Sequence, residues 1–165
     1  MIRPDEQIQQ LRPLIPLALI DNATECEAFQ NAVIRPIIKL QHEIIVSHIQ
    51  FDKNFKTIKN NFTTKEVLSK KLKDLFLNRI PLKNQLLGCI IGMMTVNELR
   101  QYHLNSSEYN KRIMAMINQR ICDSFWALSF EQSEISSQLS AVSFEQWAVS
   151  SQVSAIRYQL LEVRN

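Results

Sequence analysis

From Met93 to Asn165 the chain contains neither glycine nor proline. Those two residues normally interrupt helices, so this long stretch is free to stay helical. The prolines stop at Pro81, and the only glycines are Gly88 and Gly92. A chain this poor in turn residues has no natural way to reverse repeatedly between short strands. The expected class is therefore all-α.

Helix starts carry a repeated device, in which a Ser or Thr side chain caps the free N–H groups of the first turn and a Glu three residues later reaches back. Thr24 with Glu27, Thr63 with Glu66 and Thr95 with Glu98 fit it, and Asn105 with Glu108 is a looser version. After Thr24, the expected buried face recurs at helical steps through Phe29, Val33, Ile37, Leu40, Ile44, Ile45, His48 and Ile49. Pro36 lies inside this run and predicts a kink or break near Arg35. A second run, Leu68, Leu72, Leu75 and Phe76, ends near Pro81, and a shorter one holds Leu86, Cys89, Ile90 and Met93. Gly88 and Gly92 lie four apart, where a close approach of another helix is the simpler reading and a ligand passing close to the backbone the sharper one.

The end of the chain is a near-duplicated block. SFEQSEISSQLSAV (129–142) is followed at once by SFEQWAVSSQVSAI, with nine of 14 positions identical. One heptad position is apolar eight times in succession, from Met114 and Ile121 through Leu128, Ile135, Val142, Val149, Ile156 and Val163. The position three residues before it carries Phe125, Leu139, Val153 and Leu160, alternating with Gln132 and Gln146. This is coiled-coil spacing. A continuous helix from Glu108 would span roughly 85 Å. A lone helix leaves its seam wet, and the nine serines after Leu128 are mediocre helix formers. The expected cover is a second copy of the tail. β-branched residues dominate one core position, which favours a trimer or tetramer over a parallel dimer and leaves antiparallel pairing open. Phe130, Phe144 and Tyr158 lie nearly opposite the seam, where exposure is the simpler reading and a second contact surface the sharper one. The organisation expected is a bundle of four or five helices over 1–125, whose long last helix extends into a coiled-coil tail over 126–165.

An apolar fraction of 45% against a charged fraction of 21% is ordinary for a globular chain. The cysteines, Cys26, Cys89 and Cys122, are odd in number, widely spaced and without metal-finger spacing, so a reducing compartment is the simple reading. Pro13 and Pro16 interrupt the apolar start before it reaches signal-peptide length. LLGCIIGMM (86–94) is far shorter than the roughly 20 residues of a membrane span. The chain reads as soluble and cytoplasmic, with no membrane partner.

Two resemblances bear on origin. FQNAVIRPIIKLQHEII (29–45), LLGCIIGMMTVNEL (86–99) and NSSEYNKRIMAMINQRI (105–121) resemble a family of small all-helical bacterial proteins, mainly of the Bacteroidetes type, commonly labelled "glyoxalase". The resemblance covers about residues 8–121 and carries no catalytic residues across. Ordinary members stop near the position of Ile121. SSQLSAV and SSQVSAI resemble translated tandem DNA repeats, because a unit of seven codons read in frame yields a heptad.

The glyoxalase label implies a metal held by His, Gln and Glu side chains on paired βαβββ units, yet the chain shows no strand pattern. The histidines are His42, His48 and His103. The six-residue step from His42 to His48 sets their rings about 240° apart on a helix, whereas a zinc-protease pair needs a step of four. Cys26 sits at a helix N-terminus with no histidine placed beside it. Two glycines in one helix make no phosphate loop. Neither a catalytic residue, nor a metal ligand, nor a cofactor site emerges.

Charge is the remaining signal. Net charge is +3, but Lys53 to Lys83 holds nine Lys/Arg against two acids. Lys53, Lys56, Lys59, Lys65, Lys70, Lys71 and Lys73 could meet the phosphates of an anionic partner, with Phe51, Phe55 and Phe62 available for base stacking only if exposed. A solvated helix face is the simpler reading of the same lysines. The expected function is thus a non-enzymatic protein that self-associates through its tail. The alternatives are a nucleic-acid-associated module using the 53–83 face, or an enzyme matching the family label.

Overall fold

The computed structural model describes residues 3–16, 24–59 and 61–127. The chain divides into two compact units, Met1–Asp123 and Ser124–Asn165. All regular structure among the described residues is helical. In chain order the helices are α1 (Asp5–Gln10), α2 (Glu25–Phe29), α3 (Arg35–Leu40), α4 (His42–Phe51), α5 (Lys53–Lys59), α6 (Lys65–Asn78), α7 (Ile80–Ile91), α8 (Val96–Leu104) and α9 (106–127). No described helix is long and apolar enough to cross a membrane.

The helices outnumber four or five because local chemistry subdivides the longer apolar runs. Between α2 and α3 the chain forms a π-helical turn, Gln30–Ile34, with Pro36 in the first turn of α3. Pro36 has no N–H to donate, and its ring would strike the carbonyl four residues back. The wider turn accommodates that, and it is the break expected near Arg35. Phe29, Val33, Ile34, Ile37 and Ile38 are all buried across it. A second break falls at Gln41, whose backbone leaves the helical region at ψ 11°. A third falls at Asp52, whose carboxylate accepts the backbone N–H groups of Asn54 at 2.8 Å and Phe55 at 3.4 Å to start α5. Its second oxygen accepts from Arg79 at 3.2 Å. A fourth falls at Arg79, and Pro81 then opens α7 at the position where a missing N–H costs nothing.

The capping boxes at Thr24 and Thr95 are both present. On α6 the cap is one residue later than the spacing suggested: Thr64, not Thr63, accepts the N–H of Val67.

Helix α4 packs on α5 and α7, and α6 packs on the same two, so the four close into a ring. Its interior includes Ile45, Ile49, Phe55, Leu68, Leu72 and Leu86. Helix α9 ties further elements to this ring. The Tyr109 ring packs tilted against Phe29 with centroids 4.6 Å apart, Arg112 donates to Gln30 at 2.9 Å, and Arg120 donates to His42 at 3.0 Å. Toward α6, Asn118 donates to Ser69 at 2.8 Å, and Lys65 pairs with Asp123 at 2.6 Å.

The glycine pair on α7 does not mark a helix–helix approach. A Cβ built on Gly88 would meet nothing within 4 Å, and Gly88 is solvent-exposed. A Cβ on Gly92 would press on the Gly88 carbonyl oxygen at 2.9 Å. That oxygen accepts the Gly92 N–H and closes the helix. Gly88→Ala is therefore expected to stabilise the protein by about 0.5–1 kcal/mol through helix propensity. Gly92→Ala is expected to destabilise it. Urea titration of both variants checks the pair, and the same sign for both would refute the geometry.

Candidate functional site

Helix α6 buries one stripe, Leu68, Leu72, Leu75 and Phe76. A helix that buries that stripe must place its lysines on the two flanks. On the flank toward α9, Lys65, Lys70 and Lys73 line a cleft of about 490 Å3 with Glu66, Ser69 and Cys122. On the other flank, Lys71 donates to the carbonyl of Asn61 and lines a separate cleft with Asp74 and residues of α5. Lys53, Lys56 and Lys59 are exposed on α5. The structure thus brings three of the seven candidate lysines, Lys65, Lys70 and Lys73, into one cleft.

Charge in that cleft is partly offset. Lys65 is held by Asp123, which raises the ammonium pKa chiefly through their hydrogen bond. Glu66 adds a carboxylate to the lining. Cys122 is buried at the cleft floor, and burial pushes its thiol pKa up, against a weaker opposing hydrogen bond from Ser69. A thiol shifted that way is less of a nucleophile at neutral pH. Cys89 is likewise raised by burial.

A second cleft, of about 550 Å3, opens on the next turn, between α6, α7 and α9. Lys73 lines both clefts, and here it is joined by Lys83 and Lys111. Phe76, Leu77, Met114 and Ala115 make the apolar part of the lining. Asn118 is only 5% exposed, lines the same cleft, and has an amide oxygen without a hydrogen-bond partner. Neither Asp nor Glu lines it. In the sequence Lys83 is only the end of the basic stretch, and Lys111 lies outside it. They lie on different helices from Lys73, so no spacing rule within one helix relates them.

The three candidate stacking aromatics are treated differently by the fold. Phe55 is 1% exposed and belongs to the core, so it presents no face to a base; Phe51 is 83% exposed; Phe62 is partly buried. Among the described residues no three His, Cys, Asp or Glu side chains converge as metal ligands. His42 accepts from Arg120, and His103 stacks edge-on against Tyr102 at 5.4 Å. Cys26 lies beside Asn105, which donates to its sulfur at 3.7 Å. Burial, and then Cys26, raise the pKa of Tyr109.

One arrangement left no mark in the sequence pattern. The N-terminal arm lies over the turn between α7 and α8. Arg12 donates to both oxygens of Glu98, at 2.6 and 2.7 Å, and to the Met93 carbonyl at 2.7 Å. The Asp5 carboxylate accepts the Val96 N–H at 2.9 Å. The two ends of the Arg12–Glu98 pair are 7% and 13% exposed.

The proposed seam from Leu128 through Ile135, Leu139, Val142, Val149, Val153, Ile156, Leu160 and Val163 lies outside the described residues. Of the same heptad position within them, Ile121 is buried and Met114 is half-buried.

Fold and site together define an all-α domain with lysine-lined clefts along its sixth helix. No family model, curated protein or solved structure matches the chain.

Proposed function

We propose that this chain is a non-enzymatic helical interaction protein that assembles with copies of itself, as a trimer or tetramer, through its C-terminal heptads. The observation that carries the reading is the heptad position kept apolar from Met114 to Val163 without a skip. Apolar side chains at that period gain free energy only when another surface covers them, about 1.5–3 kcal/mol each on full burial. An identical seam on a second chain is in register with it by construction.

The test is the solution mass of the full chain and of full-length Val142→Asp/Val149→Asp, by light scattering. The wild type is expected at three or four times the chain mass. The double variant places two carboxylates in the seam, and burying each without a partner is strongly unfavourable. Its assembly constant should weaken at least about a hundredfold, which yields monomers at micromolar concentration. A monomeric wild type, or an oligomer unmoved by the two substitutions, overturns the reading.

Association with nucleic acid is the second reading, supported by Lys70 and Lys73, which make no ion pair among the described residues. Its signature is retention on DNA or RNA that weakens steeply with salt. The glyoxalase resemblance adds no residue to either reading.

A further inference from the structure

We propose that the cleft between α6, α7 and α9 binds a small amphiphilic anion, an apolar tail ending in a phosphate monoester or carboxylate. The inference is independent of self-assembly through the tail.

Three features of the lining point to this chemistry. First, Lys73, Lys83 and Lys111 come from three different helices and converge on one cleft with neither an Asp nor a Glu in its lining. Like charges gathered this way repel one another, and an anion among them relieves that repulsion. None of the three forms an ion pair with a described carboxylate. Glu108, the acid near the start of α9, is itself paired with Arg112 at 2.9 Å. Ser107, in the first turn of α9, also lines the cleft, so the positive end of that helix adds to the potential.

Second, between these cations the lining is apolar. Leu77 is 72% exposed, and Ala115 is also exposed, although both belong to the wall of a concave surface. A purely ionic partner would leave that wall wet, while a tail laid along it removes apolar area from water. The volume, about 550 Å3, falls in the usual range for small-molecule sites, roughly 300–1,000 Å3.

Third, the buried Asn118 amide oxygen lacks a donor. A buried acceptor of this kind is costly unless paired. A rotation of the amide would pair it, turning its NH2 toward an anionic head and its oxygen toward the Ser69 hydroxyl. The neighbouring cleft at Lys65 fits the same ligand less well, because Glu66 and the Lys65–Asp123 pair offset its charge.

The experiment is isothermal titration of the full chain with octyl phosphate and with nonanoate, each below its micelle concentration. Octanol and inorganic phosphate serve as the tail-only and head-only controls. One octyl phosphate per chain is expected to bind, at least about tenfold more tightly than either control, and more tightly than nonanoate because of its higher charge. Full-length Lys83→Gln/Lys111→Gln should bind about twenty-five-fold more weakly, since each contact to a surface ammonium is worth about fivefold. Full-length Ala115→Trp, which fills the cleft from an exposed position, should abolish binding while thermal stability is retained. The proposal is overturned if octyl phosphate does not bind, if either control matches it, or if the two variants bind as the wild type does.

Discussion

Arg12→Ala is expected to lower the unfolding free energy by about 3–5 kcal/mol, the usual cost of removing one partner from a buried ion pair. The Arg12 guanidinium holds both oxygens of Glu98 and the Met93 carbonyl. Without it, Glu98 keeps its capping contacts to Thr95 and a long hydrogen bond from Gln9 at 3.5 Å, while remaining largely shielded from water. The pH dependence carries the same information. Burial by itself would raise the Glu98 carboxyl pKa, but hydrogen bonds from Arg12 and Thr95, with the guanidinium charge, outweigh it and hold the pKa below the ordinary value. A carboxylate with a depressed folded-state pKa stabilises the fold above its unfolded pKa, about 4.3, and loses that contribution as pH falls through the folded value. The wild type should therefore lose stability through this group below about pH 4.3. Glu98→Gln should remove that component. Guanidinium titrations between pH 3 and 7, at one fixed chain concentration, check both variants. An Arg12→Ala protein as stable as the wild type at pH 7 would mean that the arm does not dock as described.

The second large effect is at Phe55. Phe55→Ala is expected to cost about 3–5 kcal/mol, whereas Phe51→Ala should change stability by less than about 0.5 kcal/mol. Phe51 borders the basic stretch and Phe55 lies just inside it, four positions further on. Their exposures of 1% and 83% set them apart. Phe55 follows the Asp52 cap and enters the ring of α4, α5, α6 and α7, while Phe51 ends α4 facing water. Removing a fully buried ring leaves a cavity that the close-packed surroundings fill only in part. Equal effects at the two positions would refute this placement of α5.

Much of the fold could be read from the chain because helices are local objects. The caps at Thr24 and Thr95 need only residues three apart, and the stripe Leu68, Leu72, Leu75, Phe76 needs only the helical period. Pro36 announced its interruption by what it lacks. The breaks at Gln41 and Asp52 were harder to foresee. Nothing about a glutamine ends a helix, and an aspartate caps one only once the chain has turned there. The glycine pair misled for a related reason. Spacing shows that two small residues share a helix face, not whether anything packs on that face.

Less of the candidate site was legible. The seven candidate lysines looked like one surface because they are close in sequence. Three stand on α5, the buried stripe of α6 separates the other four onto two flanks, and Lys65 and Lys71 find partners in Asp123 and Asn61. The cations that gather with Lys73 are Lys83 on α7 and Lys111 on α9. The salt link between Arg12 and Glu98 crosses most of the domain in sequence and carries no periodic signal at all.

The sequence by itself determined the helical class, the caps at Thr24 and Thr95, the proline break, and the uninterrupted heptads of the tail. Each follows from interactions within one or two turns of a single helix. Only the tertiary structure decided which flank of α6 meets α9, which phenylalanine enters the core, and which three lysines surround an apolar cleft without a carboxylate. Those outcomes depend on which buried stripes pack together, and many residues far apart in the chain share in that choice.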